Sequence, residues 1–344
     1  MTDISPSVTV RWRRRAGVLI TAGLLCAALT QLGGCYYWQA ARGQMALASN
    51  REPVAAVIDD PATPTAVRDK LELSQRALTF AHTELGLPDN GSYETYVELG
   101  RDALVVNVFA APALSLTPKT WCYPFVGCVA YRGYFARVDA ERYAARLAKR
   151  GYDVITGDVP AYSTLGRFRD PIISTMLKRS DDSFVALLFH ELAHQIVFVN
   201  DDTAFNESFA TFVQRAGLER WREHNDQPAL PRTAAVSSRR QTMRELIENA
   251  RSALGRIYAS TADDDSKRQQ KAAVFAQLEV DWRSAGMPGR APHNNAALQP
   301  FALYDDLTPR FAHLFKQCEA SFSCLYEHVR ELAELPREAR LAAF

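Results

Sequence analysis

Residues 187 to 212 read LLFHELAHQIVFVNDDTAFNESFATF, and His190, Glu191, His194 and Glu207 within them can do chemistry. On a helix, residues four apart share one face. His190 and His194 therefore point the same way, the geometry two imidazoles need to hold one metal ion. Glu191 lies beside them, placed to reach a water held by the metal without ligating it. The pattern H-E-x-x-H thus specifies two zinc ligands and a general base. The bland alternative is two core histidines satisfied by backbone. With seven histidines in 344 residues, the pattern arises by accident in roughly one chain in a hundred. Three unpaired polar groups in so apolar a run would also be costly. A hydrolytic zinc site takes a third protein ligand and leaves the fourth position to water. Glu207, thirteen residues after His194, supplies that ligand if the chain breaks at Asn200-Asp201-Asp202 and returns antiparallel, with Glu207 in the first turn of a helix from about Asn206. One Zn2+ per chain is expected.

These residues need elements to position them. Asp181, Asp182 or Ser183 can cap a helix start, and Phe184, Leu187, Leu188, Leu192, Ile196 and Val197 recur at helical spacing. Helices are predicted over 174–178, 182–199 and 206–223. Upstream, helical periodicity runs from about Thr65 to Leu85, and PDNGSYE from Pro88 is a turn. The β-branched run 103–112 predicts a buried strand, and 127–138 alternates and predicts a second. An amphipathic helix over 139–152 ends at Gly151, and YDVITGDVPAYS returns to strand. Downstream, two polar helices form a hairpin around Thr261 to Asp265, and 286–295 is a loop before the last helices. The fold class is α+β: a small sheet in the N-terminal half, a helical site region, and a mainly helical part from about 230 to 344.

The first 35 residues differ in kind. Arg11, Arg13, Arg14 and Arg15 precede an apolar run from Ala16 to about Leu29, which reads as a secretory signal. The run is short for a permanent membrane span. It ends in Leu-Gly-Gly-Cys, which resembles the bacterial lipobox. That resemblance implies that Cys35 is lipidated and becomes the mature N-terminus, with residues 1–34 removed, 35–60 a tether and 61–344 the folded domain. Tyr36, where an aspartate would signal retention at the inner membrane, favours the outer membrane of a bacterial envelope, with the domain facing the periplasm. Charge is nearly balanced, at 40 Lys and Arg against 39 Asp and Glu, and no basic patch interleaved with aromatics appears. Nucleic-acid binding is set aside. Cys122, Cys128, Cys318 and Cys324 remain after the signal leaves with Cys26. An even number in an exported chain favours disulfides. Local pairing, 122–128 and 318–324, is one of three connectivities. A zinc site shared by the four is the rival, weakened by the lack of C-x2-C spacing.

H-E-L-A-H followed by N-E-S-F-A resembles the gluzincin metallopeptidases, whose aminopeptidases carry H-E-x-x-H and then N-E-G-F-A. The lipobox with WCYPFVGCVAYRGYF, YSTLGRFRDP, LLFHELAHQ and NESFATFV more closely resembles the putative aminopeptidase family of bacterial lipoproteins. That resemblance implies a zincin-like core, peptide substrates and a lipid-anchored zinc peptidase. The interval from His194 to Glu207 is shorter than in typical gluzincin aminopeptidases. No G-x-M-E-N motif, which anchors the substrate amine in them, is present. A zinc endopeptidase stays open, as does a non-catalytic envelope lipoprotein with a retained zinc site. An edge strand pairs with substrate backbone in zinc peptidases, and AYRGYF, 130–135, is the candidate. Tyr131, Tyr134, Tyr162 and Tyr304 compete as donors to the transition state. Thr211 could support a metal ligand, and His293 and His313 read as structural or exposed.

Overall fold

The computed structural model describes residues 35–123, 127–159, 168–229, 234–302 and 307–344. The expected signal segment, Tyr162 and Tyr304 lie outside the described residues. Helix α1 spans Cys35–Ser49, and it lies in a unit separate from Arg51–Phe344. No described helix is long and apolar enough to cross a membrane.

Arg51–Phe344 is α+β. Among the described residues there is not one small sheet but two three-stranded sheets and a two-stranded ribbon. In the first sheet, β2 (Thr95–Val97) lies between β1 (Glu52–Pro53), antiparallel, and β8 (Ile172–Ile173), parallel. Residues 52–59, expected in the tether, are thus strand β1 and the short helix α2 (Val54–Asp59). In the second sheet, β3 (Val105–Pro112) lies between β6 (Arg132–Tyr134) and β7 (Tyr152–Val159), antiparallel to both. Strand β3 alternates: Val106, Val108 and Ala110 are buried while Val105, Asn107 and Phe109 are only partly covered. It is a half-buried strand of an antiparallel sheet rather than a fully buried one. Helix α4 (Arg137–Ala148) packs on β3 and β7.

The single strand expected over 127–138 is two strands in two sheets. β5 (Gly127–Val129) pairs with β4 (Trp121–Tyr123), placing Cys128 directly opposite Cys122. Past the break at Ala130-Tyr131 the chain joins β3 as β6, and helix α4 begins at Arg137. Cys122–Cys128 and Cys318–Cys324 are both bonded. Pairing is local, and the four cysteines do not share one metal.

The helical layer is built around α3 (Thr65–Thr83), α6 (Asp181–Ala193) and α7 (Thr203–His224), which pack on one another. Short α5 (Ser174–Leu177) precedes α6. Gly217 of α7 sits where a Cβ would lie 3.0 Å from the Phe189 ring and 2.8 Å from Leu85. Its missing side chain lets α7 approach α6 beside the residue preceding His190. Downstream, α8 (Ala234–Ala259) and α9 (Asp264–Ser284) form the expected hairpin. Asp263 caps α9 by accepting from the Ser266 amide at 2.9 Å. The hairpin is polar outside, but Leu254, Phe275, Leu278 and Trp282 bury its inner face. After a 3-10 turn come α10 (Gln299–Ala302), α11 (Thr308–Gln317), α12 (Phe322–Glu334) and α13 (Arg337–Ala342). The last three close over α7: Phe311 packs on Phe205 and Phe209, with ring centroids 5.4 and 5.6 Å apart, Tyr326 on Phe209 and Arg340 on Phe205.

Candidate active site

Helix α6 begins after Ser180, slightly before the expected caps, and Ser180 makes no side-chain cap bond. Its first turn is held by charge instead. Asp181 and Asp182 sit at the positive end of the helix dipole and pair with Lys70 and Arg222, each at 2.5 Å. Phe184, Val185, Leu188, Phe189, Leu192 and Ala193 are buried. That burial fixes the rotation of the helix and hence the direction of His190 and of His194 at its C-terminal cap.

The helix predicted to reach residue 199 stops at Ala193. The amides of Gln195 and Ile196 bond three residues back, to Leu192 and Ala193, and close the end. β-branched Ile196, Val197 and Val199 gain little by continuing a helix. Asn206 then fixes the loop: its Oδ1 accepts from the Val199 amide at 2.9 Å and its Nδ2 donates to the Val199 carbonyl at 2.8 Å. Asp202 caps α7, accepting from the Phe205 amide at 3.1 Å. Helix α7 thus begins at Thr203, earlier than the predicted Asn206, which carries Glu207 past the first turn.

The return brings the three residues together. The Nε2 atoms of His190 and His194 are 3.1 Å apart. Glu207 Oε2 is 3.4 Å from the first and Oε1 3.5 Å from the second. A tetrahedral zinc with N and O ligands at about 2.0–2.1 Å holds neighbouring ligand atoms about 3.3 Å apart. Two imidazoles and a carboxylate at this spacing fit one such ion. Each ring turns Nε2 to the shared point, and its buried Nδ1 has no hydrogen-bond partner among the described residues. Gln214, two turns along α7 from Glu207, lies near the His190 ring.

Burial, with a smaller addition from His190, takes the His194 imidazole down to about 4 against the pull of Glu207. It is neutral near pH 7, as a ligand must be. Burial also lowers His190, but the bond to Glu207 and the charges of Glu191 and Glu207 outweigh it and the net shift is upward. Burial raises Glu207, and the same imidazoles outweigh it and bring it down. Glu191 is buried beside them, and desolvation lifts its carboxyl to about 7, with Glu207 and Asp170 adding to the rise and His190 opposing it. A base that titrates near neutrality is suited to proton transfer.

The family described as "Putative aminopeptidase" matches residues 35–344. The chain belongs to that family. No curated protein and no solved structure matches it.

Of the other expected residues that are described, each has the following neighbours. The Tyr131 ring lies against Phe109, with centroids 5.9 Å apart. Tyr134 is buried against Tyr143, with Arg132 over its ring. Strand β6 is an edge of its sheet. Thr211 forms no hydrogen bond with the site residues among those described. His313 lies 3.2 Å from Gln317, and His293 is partly buried, which lowers its pKa.

Four contributors, Asn90, Ser92, Tyr93 and Gln195, were not read from the sequence. Asn90 donates to the Gln195 side chain at 2.7 Å, and Gln195 donates to Ser92 at 3.4 Å, which clamps the residue after His194. Tyr93, in the same turn, has φ +66° and a buried hydroxyl without a partner among the described residues. Its pKa is raised by burial first and by the charges of Glu191 and Asp170 next. PDNGSYE shows only as a turn in sequence. An aromatic held at positive φ is an outlier worth a functional question, but φ is invisible to a sequence.

The raised His190 pKa has a consequence for metal uptake. Below that pKa His190 is protonated beside Glu207, and a cation binding through its Nε2 would have to expel that proton. Affinity should fall as pH drops through the His190 pKa, and proton release should vanish as pH rises through it. Titration calorimetry with Zn2+ in buffers of different ionisation enthalpy, on Glu191→Gln to remove that carboxyl's own titration, should show release approaching about one proton on the acid side. Binding that expels none at any pH would place the cation away from His190.

Proposed function

We propose that this chain is a zinc-dependent aminopeptidase, with His190, His194 and Glu207 as ligands and Glu191 as general base, held to a bacterial envelope membrane through lipid on Cys35. The observation that carries the reading is the convergence of two Nε2 atoms and the Glu207 carboxylate within 3.5 Å, with a buried carboxylate beside them. Three protein ligands make an open site, whereas structural zinc sites are closed by four, which favours catalysis over a scaffold. When bound, Zn2+ polarises the scissile carbonyl and acidifies the attacking water. Glu191 takes the water's proton and passes it to the leaving amine. Gln195, clamped by Asn90 and Ser92, keeps the end of α6 and the His194 ring in place. Tyr93 supplies an O–H donor beside Glu191.

The purified full chain should carry about one zinc, and His190→Ala should lose the metal and the activity together. Two peptides separate the peptidase classes: one with a free N-terminus, and the same peptide acetylated. Cleavage of the first alone supports an aminopeptidase. Cleavage of both makes it an endopeptidase, the reading that the missing G-x-M-E-N motif keeps open. A zinc-loaded chain that cleaves neither these nor a broad peptide library is a scaffold.

A further inference from the structure

A second cluster with ligand chemistry lies on α11 and α12, independent of the site above. Cys318 caps the C-terminus of α11 and is buried. Cys324 is in the first turn of α12, and His328 stands one turn further on the same face. His328 Nδ1 is 3.8 Å from Cys318 Sγ and 3.7 Å from Cys324 Sγ. A tetrahedral centre with Zn–S of about 2.3 Å and Zn–N of about 2.0–2.1 Å puts sulfur and nitrogen about 3.5 Å apart. Both sulfur-to-nitrogen distances are therefore already near those of a bound ion. The two sulfurs, now bonded, would have to separate, and His328 Nδ1 would have to leave the Cys324 carbonyl.

The turn between the cysteines does not depend on that bond alone. Glu319 and Ala320 both have positive φ, at 51° and 61°, which is costly for residues with a Cβ. Backbone bonds hold them there: Ala320 N to Phe315 O at 3.0 Å and Ser321 N to Cys318 O at 2.9 Å. Arg220 of α7 donates to the Ala320 carbonyl at 2.9 Å. Ser321 caps α12 by accepting from the Cys324 amide at 3.4 Å. A turn held on both flanks keeps the sulfurs and the imidazole together after the S–S bond is cut.

We propose that Cys318, Cys324 and His328 form a second metal site that opens when their disulfide is reduced and takes a soft or borderline cation such as Zn2+ or Cu+. A dithiol reductant supplies the electrons. Its two thiols become a disulfide, the Cys318–Cys324 bond breaks, and each cysteine leaves as a thiol. The cation then displaces both thiol protons. His328 Nδ1, 2.9 Å from the Cys324 carbonyl, gives up that contact and turns to the ion with its proton on Nε2. Thiolate and imidazole are the donors that soft cations prefer, and three of them leave one position for an outside ligand. The other disulfide has no such partner: no metal-competent group among the described residues includes Cys122 or Cys128.

Cobalt tests this on the full chain, without oxygen and with a phosphine reductant. Co2+ at His190 and His194 meets no sulfur, so a near-ultraviolet thiolate-to-cobalt band reports cysteine ligation, and the cysteine variants show which pair supplies it. The reduced chain should show the band and the oxidised chain should not. Cys324→Ser should abolish it and Cys128→Ser should retain it. His328→Ala should weaken binding by at least the ~10–100-fold that loss of an outer-shell partner costs. A reduced chain with no band overturns the proposal, as does a band lost in Cys128→Ser but kept in Cys324→Ser. Loss of helical circular dichroism on reduction, before cobalt is added, overturns it too, because the site requires the folded turn.

Discussion

Glu191→Gln should lower peptide hydrolysis by ~10²–10⁴-fold, the usual loss on removing a positioned general base, while leaving bound zinc unchanged. The two halves of this expectation have separate physical grounds. Glutamine keeps the shape of the side chain but cannot accept the water's proton. Glu191 is not one of the three groups that converge at Nε2 distance, so metal content should not follow activity. Folding should not suffer. Burial raises the Glu191 pKa from its ordinary 4.5 to about 7, so the unfolded chain ionises first. Between those values rising pH costs the metal-free fold stability, by up to a few kcal/mol. The neutral amide removes that cost. Above about pH 7, metal-free Glu191→Gln should therefore melt no lower than metal-free wild type. A cation in the site would draw the wild-type carboxylate back toward ionisation and narrow the difference. Metal analysis, thermal melts and the two-peptide assay on the same preparations check all three. Full activity in the variant removes Glu191 from proton transfer, and loss of zinc along with activity recasts it as a ligand.

How far the site can be read from sequence follows from the range of each interaction. His190, Glu191 and His194 are legible because a helix converts spacing directly into direction. Glu207 is legible because a short return is all that joins its helix to the first. The end of α6 is not, since the apolar period runs on through Ile196 and Val197. The amides of Gln195 and Ile196 close it three residues back, and the loop beyond is fixed by bonds between Asn206 and Val199, which no local pattern announces. The strand over 127–138 fails for a related reason. Its alternation is real, but the pairing of Cys122 with Cys128 commits its first residues to a separate ribbon. The clamp on Gln195 comes from residues more than a hundred positions away, and asparagine and serine in a turn read only as turn formers. The α+β class was within reach, because class depends on counts of elements and not on where each one ends.

Long-range support of this kind makes the second large prediction. Arg340, near the C-terminus, should be as necessary to the metal centre as a residue that touches it. Its guanidinium pairs with Asp202, and both side chains are buried. It also donates to the Leu332 and Leu335 carbonyls at 3.1 and 2.8 Å and lies 4.9 Å over the Phe205 ring. Asp202 in turn caps α7, the helix that carries Glu207. Arg340→Met fills much of the space but leaves Asp202 buried without its cation, and breaking a buried pair from one side typically costs about 3–5 kcal/mol. The damage should concentrate at the start of α7, so zinc affinity should drop along with stability. Replacing both partners tests whether the penalty belongs to the orphaned carboxylate. Asp202→Asn with Arg340→Met removes the unpaired charge while the amide oxygen can still cap Phe205, so it should recover a large part of both losses. Urea unfolding gives the first quantity and competitive zinc titration the second. A single variant that loses stability but binds zinc as tightly as wild type would show that Glu207 is held by the Asn206 bonds and helix packing alone. A double variant no better than the single one would place the cost in the lost Leu332 and Leu335 bonds instead of in the ion pair.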